Sequence, residues 1–237
     1  MIELRPFNSL GSANHGWLDA RHHFAFANYH DAARVNWGAL RVWNDDTIAP
    51  GTGFPTHPHN DMEIITYVRK GAITHRDSMG NEGRTEAGDV QVMSAGDGIQ
   101  HSEYNREDED TQIFQIWIIP EERGGTPSWG AAPFPKGDRA GTFVPLASSA
   151  ANDDDTRDGA LPIRTDARVL GATIKEGEIV TYTPRDASRH LYLVPATGKV
   201  TIGEIAAEAR DGVAITDEDS ITITALKDSE LVLVDAA

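Results

Sequence analysis

Short apolar segments recur along this chain, each stopped within a few residues by Gly, Asp, Asn or Pro, and that punctuation limits what it can build. Ile64-Ile65-Thr66-Tyr67-Val68 ends at Lys70-Gly71, Val90 to Met93 follows Ala87-Gly88-Asp89, and Ile113 to Ile119 stops at Pro120. Further segments cover Ile179 to Thr183, Leu191 to Val194, Val200 to Ile202, Ile221 to Leu226 and Leu231 to Val234. Several are β-branched and alternate with period two, as in Ile221-Thr222-Ile223-Thr224, which puts every second side chain on one face of a strand. Ile205 to Arg210 allows a short helix, but its neighbours favour strand. Many short strands with regular turns predict an all-β sandwich or barrel. The 237 residues suit one large β domain or two of ordinary size, and 39% hydrophobic residues are enough to fill packed cores.

The pattern dissolves between Pro120 and about residue 166, where Gly124-Gly125, Pro127, Pro133, Pro135 and Pro145 gather. This stretch reads as an inter-domain connection with surface loops. Its Asp153-Asp154-Asp155 run lacks the Gly and later Glu of a calcium loop and reads as a solvated turn. A faint repeat links the halves: Gly71-Ala72-Ile73-Thr74 echoes Gly198-Lys199-Val200-Thr201, and Gly88-Asp89-Val90-Gln91-Val92 echoes Asp211-Gly212-Val213-Ala214-Ile215.

A formal net charge of −16 disfavours direct contact with nucleic acid, where Lys and Arg must displace counterions, and with anionic membranes. No cysteine is present, which removes disulfides, thiolate metal sites, iron–sulfur clusters and thiol nucleophiles together. Met1 to Pro6 shows no basic start followed by an apolar stretch, and Ile116-Trp117-Ile118-Ile119 is far short of the ~20 residues that span a bilayer. A cytoplasmic location is the expectation.

Two pairs of side chains carry chemistry. His57 and His59 are two residues apart, and so are His101 and Glu103. On extended strands each pair shares a face, so in a barrel that brings the segments together three imidazoles and one carboxylate converge. That donor set suits Fe(II), Mn, Ni, Cu or Zn, and in an octahedral shell it leaves two positions open for a bidentate substrate or for substrate and dioxygen.

The residues that carry this pattern resemble a known family. Gly53-Phe54-Pro55-Thr56-His57-Pro58-His59, Glu63-Ile64-Ile65-Thr66-Tyr67-Val68, His75-Arg76-Asp77-Ser78-Met79-Gly80-Asn81, Gly88 to Gly96 and His101-Ser102-Glu103 are similar, in this order, to the pirins of the cupin superfamily. Arg21 to Tyr29 resembles the N-terminal signature of bacterial pirin-like proteins. The resemblance implies a bicupin, two antiparallel jelly-roll-like β-barrels with few short helices. Residues 1–125 would be the metal-binding barrel, 126–166 linker and surface loops, and 167–237 a degenerate barrel without metal.

It further implies that His57, His59, His101 and Glu103 are the ligands of one divalent ion, Fe(II) foremost, with Cu, Ni, Mn, Zn or Co as alternatives. The implied activity is quercetin 2,3-dioxygenation, in which a flavonol reacts with O2, carbon monoxide leaves and a depside remains, with Glu103 as general base. Other pirins act as regulatory partners, so a non-enzymatic metal-binding redox sensor with a protein partner is the alternative reading.

Aligned on Gly71 and Gly198, Pro184, Asp186 and His190 stand opposite His57, His59 and Glu63; aligned on Val92 and Ile215, Thr224 and Leu226 stand opposite His101 and Glu103. Ligand chemistry is missing there, and His190 is expected to pack or face solvent. Glu63 is given a structural role or one of supporting a ligand from behind. His75 and Asp77 are expected to shape a hairpin before Gly80. His22 and His23 are expected to hydrogen-bond within the first barrel, and Phe54, Trp43 and Trp117 are candidates for an apolar wall beside a flat ligand.

Overall fold

The computed structural model describes residues 1–149, 155–156 and 158–237, and its apolar segments lie in strands. The first half forms β1 (Ile2–Arg5), β2 (Gly11–Asn14), β3 (Leu18–His22), β4 (Leu40–Ile48), β5 (Gly53–His59) and β6 (Glu63–Lys70). There follow β7 (Ala72–Asp77), β8 (Glu82–Glu86), β9 (Val90–Ser94), β10 (Ile99–Tyr104) and β11 (Thr111–Ile118). The middle adds β12 (Ser128–Ala132), β13 (Val144–Ser149) and β14 (Leu161–Ile163). The remainder is β15 (Ala167–Ile174), β16 (Ile179–Tyr182), β17 (His190–Ile202), β18 (Ile205–Glu208), β19 (Gly212–Ile215) and β20 (Ile221–Ala236).

A seven-stranded sheet, β12-β9-β6-β11-β4-β3-β2, and a four-stranded sheet, β5-β10-β7-β8, enclose the first barrel. The second is built on β1-β19-β17-β20-β15-β13-β14, with β16 added to β20 and β18 to β17. Its longest strand, β20, pairs with β16 over its first residues and with β15 over its last. Apart from the parallel pair β13–β14, the named strands pair antiparallel. The fold is therefore all-β, a bicupin, with helical turns as short as Phe7–Ser9 and Lys136–Arg139. Among the described residues, no helix is long and apolar enough to cross a membrane.

Among its described residues, the stretch 126–166, expected as linker and loops, carries three short strands. β12 extends the first barrel's sheet by pairing with β9, while β13 and β14 belong to the second barrel. Gly124, Gly125, Pro127, Pro133 and Pro135 sit between short strands, whereas Gly130, Pro145 and Pro162 lie within them. At the other end of the chain, β1 pairs with β19, so the N-terminus is woven into the second barrel. Asp153 and Asp154 of the acidic run lie outside the described residues; Asp155 accepts hydrogen bonds from Ser148 Oγ and Arg168 Nε.

Period-two alternation divides each strand of the first barrel between two environments. On β11, Ile113, Gln115 and Trp117 point into the barrel, whereas Phe114, Ile116 and Ile118 join a core shared with Tyr192, Val194, Val232 and Val234 of the second barrel. β6 divides likewise, Thr66 and Val68 inward, Ile65 and Tyr67 towards the neighbouring barrel. The shared core locks the barrels together, and the inward faces are left free to carry polar chemistry.

In the second barrel the matching strand pair lacks donors. His101 faces His57 across β10–β5, and the residue aligned with His101, Thr224, faces Ile179 across β20–β16. Pro184 and Asp186, aligned by eye with the first barrel's histidines, fall beyond the end of β16, so Ile179 is the true positional counterpart of His57. His190 packs edge-on against Trp37, with ring centroids 5.2 Å apart.

Candidate metal centre

Strand pairing between β5 and β10 sets His101 directly opposite His57. The pairing slips between His101 and Glu103, so that Glu103 faces Phe54, three residues before His57. Such a bulge reverses the alternation locally and turns both Phe54 and His57 inward. The strands approach closely at Gly53, where a Cβ would overlap the carbonyl oxygen of Glu103 and the Cα of Tyr104. Gly53→Ala is therefore expected to cost about 1–3 kcal/mol through overpacking and to push β5 away from β10. Thermal unfolding together with a nickel titration checks this: unchanged stability and affinity would mean that the contact has no such role.

The structure brings three of the four expected ligands into one cluster: donor nitrogens of His57, His59 and His101 all lie within 4.8 Å of one another. The Nε2 atoms of His57 and His101 are 3.1 Å apart. His57 Nδ1 lies 2.7 Å from the carbonyl oxygen of Pro55. A carbonyl only accepts, so Nδ1 carries the proton and the Nε2 lone pair faces the cluster. Burial, reinforced by the neighbouring imidazoles, pushes His59 down to about 4 and His101 down to about 3. Both are neutral at physiological pH, the form that binds metal. Trp117 closes one side, its ring edge-on to His59 at 4.9 Å.

Glu103 is buried beside this cluster but is not part of it. Its Oε1 accepts from Thr66 Oγ1 at 3.0 Å and Gln91 Nε2 at 2.7 Å, and its Oε2 accepts from Gln115 Nε2 at 2.7 Å. Gln115 is oriented in turn by Trp117, whose Nε1 donates to Gln115 Oε1 at 3.2 Å. The donors come from β6, β9 and β11, so the seven-stranded sheet holds a carboxylate borne by the four-stranded one.

Glu63 points the other way. Its Oε2 accepts from Ser94 Oγ at 2.6 Å and from the Arg164 amide at 3.2 Å, which ties β6 and β9 to the segment leading into the second barrel. Its odd position on β6 puts it on the face of Ile65 and Tyr67, opposite Thr66, and burial raises its carboxyl pKa. Of the two neighbouring histidines, His22 bonds Asn44 Oδ1 at 2.8 Å within the first barrel. His23 departs from expectation: its Nδ1 lies 2.9 Å from Tyr192 Oη, in the second barrel.

A cavity of about 490 Å³ opens beside His57 and His59. Phe54 and Trp117 line it, as expected, with Trp17 and Phe26. Trp43 does not, because its odd position on β4 turns it into the inter-barrel core against Phe114 and Tyr192. The polar lining includes two groups that the sequence left unread, Asn44 and Asp46 of β4. Asp46 Oδ1 is buried without a partner among the described residues. Burial first, then the charges of Asp45 and Glu103, raises its carboxyl well above the usual carboxylate range. The signal was present in Asn44-Asp45-Asp46, polar residues inside an apolar strand, which need partners or a function when buried.

Three clustered imidazoles, two of them held neutral by burial, beside an anchored carboxylate match the chemistry of a site for a late first-row divalent metal.

Comparison with known proteins agrees with this arrangement. Residues 3–118 match the family model for pirin, and residues 150–236 match that for the quercetinase C-terminal cupin domain. A pirin-like protein of Caulobacter vibrioides is 66% identical over the whole of both chains. The quercetin 2,3-dioxygenase of Escherichia coli K12 is 44% identical over 99% of this chain and 98% of that protein. The crystal structure of the bacterial pirin YhhW from Escherichia coli in complex with nickel(II) superposes with a TM-score of 0.91, at 43% identity over 100% of this chain and 99% of that one. With likeness at this level running through both barrels, the chain belongs to the pirin family.

Proposed function

We propose that the chain is a metal-dependent dioxygenase that cleaves a flavonol such as quercetin, consuming O2 and releasing carbon monoxide. The observation that carries this reading is the position of the imidazole cluster in the wall of an aromatic-lined cavity of about 490 Å³, within the range of small-molecule sites. His57, His59 and His101 would hold the ion, the buried Glu103 carboxylate beside them would reach it as fourth donor by a side-chain shift, and Fe(II) is the form favoured for work with dioxygen. When bound there, such an ion supplies Lewis acidity towards a substrate hydroxyl and redox chemistry towards O2.

The protein's own contributions follow from its geometry. Trp17, Phe26, Phe54 and Trp117 offer flat apolar surfaces to a three-ring ligand and exclude water from it. Glu103 accepts the proton of the flavonol 3-hydroxyl, and Gln91, Gln115 and Thr66 hold its carboxylate in one orientation. Asp46, whose surroundings favour its protonated form, offers an O–H to a ligand oxygen from the opposite strand. The products balance the reactants: one flavonol and one O2 give one carbon monoxide and one depside.

The test is aerobic incubation of iron-, copper-, nickel- and manganese-loaded protein with quercetin, following oxygen uptake and carbon monoxide. Equimolar oxygen loss and carbon monoxide release with at least one metal is expected. Fully loaded protein that turns over with none of them would leave the redox-sensor reading in its place.

A further inference from the structure

The hairpin residues His75 and Asp77 reach further than the turn they shape. Asp77 does brace it, accepting at Oδ1 from the amides of Met79 at 2.9 Å and Asn81 at 3.0 Å, and at Oδ2 from Asn81 Nδ2 at 2.9 Å. Oδ2 also lies 3.0 Å from His75 Nε2. Cross-strand register sets Asp77 opposite His101 and His75 opposite Glu103, so both stand beside the metal centre on the adjacent strand β7. His75 is fully buried, and its ring lies flat on Trp129, with centroids 4.8 Å apart and planes 8° from parallel. On its other side, His75 Nδ1 lies 3.5 Å from His101 Nδ1, at the outer limit of a hydrogen bond.

We propose that Asp77 and His75 are positioning residues for the metal centre, a carboxylate–imidazole–imidazole chain that fixes which nitrogen of His101 is free to bind the ion. The inference rests on the metal-binding part of the function proposed above and is independent of the substrate.

The direction of each hydrogen bond follows from the first. A carboxylate accepts, so the single proton of a neutral His75 sits on Nε2. Its Nδ1 then presents a lone pair to His101, ready to accept an N–H at His101 Nδ1 when an ion takes Nε2. That leaves the lone pair of His101 on Nε2, 3.1 Å from that of His57 Nε2; two lone pairs this close need a cation between them, so the arrangement is that of the metal-bound protein. Burial works to raise the Asp77 carboxyl pKa, but the hydrogen bonds from His75, Asn81 and Met79 outweigh it and hold it below the usual range, which keeps the chain anchored on an anion. His57 is oriented by a neutral backbone carbonyl, whereas His101 is oriented by a carboxylate acting through a second imidazole. The second arrangement makes the ligand a stronger donor. Asp77→Asn can reverse the sequence: an amide N–H facing His75 Nε2 moves its proton to Nδ1, and His101 then carries its proton on Nε2, where the metal should bind.

Nickel affinity, measured by chelator competition on the full chain, should fall about 10- to 100-fold in both Asp77→Asn and His75→Phe. His75→Phe retains the stack on Trp129 and the Asp77 turn, so its thermal unfolding should stay near wild type while its affinity drops. The visible spectrum of the cobalt-loaded protein should shift in both variants, a change that loss of hairpin stability alone would not cause. In the zinc-loaded wild type, 15N shifts should show His101 protonated at Nδ1 and bound to the ion through Nε2; this measurement needs no variant. The opposite tautomer would overturn the proposal. So would wild-type affinity and an unchanged cobalt spectrum in His75→Phe, with the metal-site reading left standing. A wild-type chain that binds no nickel would remove both.

Discussion

His57→Ala protein should fold normally and lose its metal. The side chain is only partly buried, and its Nδ1 contact is to Pro55 two residues away, so little of the barrel depends on it. What the ring supplies is one of three nitrogens in a cluster whose donor atoms lie within 4.8 Å of one another. Changes to groups that merely orient a ligand already cost 10- to 100-fold in metal affinity, so removal of a ligand should weaken nickel binding by more than about 100-fold. The loss can be read as stability. An ion held at 100 times its dissociation constant adds about 2.7 kcal/mol to the folded state, and that increment should vanish in the variant. The measurement is thermal unfolding with and without nickel, for both proteins. A metal-induced stabilisation that survives in His57→Ala would mean that nickel binds elsewhere. Flavonol turnover should disappear with the metal, and turnover by metal-free His57→Ala would remove the proposed mechanism.

That site was readable in the sequence because its ligands come in pairs at strand spacing. His57-Pro58-His59 declares a shared face and the pairing of β5 with β10 brings His101 to it, whereas Glu103, two residues on, lies across a register shift beside the cluster and not in it. Parity also explains the misreadings. Trp43 resembles a pocket aromatic by composition, but it is one residue out of phase with Asn44 and Asp46 and so faces the other barrel. The same parity supports the structural role given to Glu63, which is one residue out of phase with Thr66's face and reaches Ser94. His75 and Asp77 carried the same two-residue spacing as the ligands, but the Gly80-Asn81 turn beside them offered a sufficient structural explanation. Only the β7–β10 register reveals that they also face His101 and Glu103. The assignment of strands to sheets was not legible at all for β1, which crosses to the second barrel, or for β12, which returns to the first from within a Pro-rich stretch. Such pairings depend on edges left open by the rest of the fold, which local sequence does not encode.

The adjacent aspartates of β4 should respond differently to mutation, because alternation along the strand sends them to opposite faces. Asp45 is fully buried and bridges two guanidinium groups: Arg69 Nη2 donates to Oδ1, and Arg210 Nε donates to Oδ2 at 2.5 Å. Arg69 lies over Phe114 and Arg210 over Phe7, so both cations are also packed against rings. Because Arg210 precedes β19, the bridge spans the two barrels. Asp45→Ala leaves the buried Arg69 without its counter-charge, and breaking a buried pair from one side costs about 3–5 kcal/mol. At ~2–4 °C per kcal/mol for a chain of this size, the melting temperature should fall by about 6–20 °C. Asp46 faces the cavity, has no cation of its own, and pays the cost of burial with an Oδ1 that has no partner among the described residues. Its replacement by Asn should leave the melting temperature near wild type, because an uncharged amide of the same shape replaces a carboxyl whose surroundings already favour its uncharged form. Thermal unfolding of the two variants side by side decides the matter. Equal losses would mean that burial alone governs this strand, whereas a large loss confined to Asp45 would show that the ion pairs across the barrel interface set its stability and leave Asp46 to function.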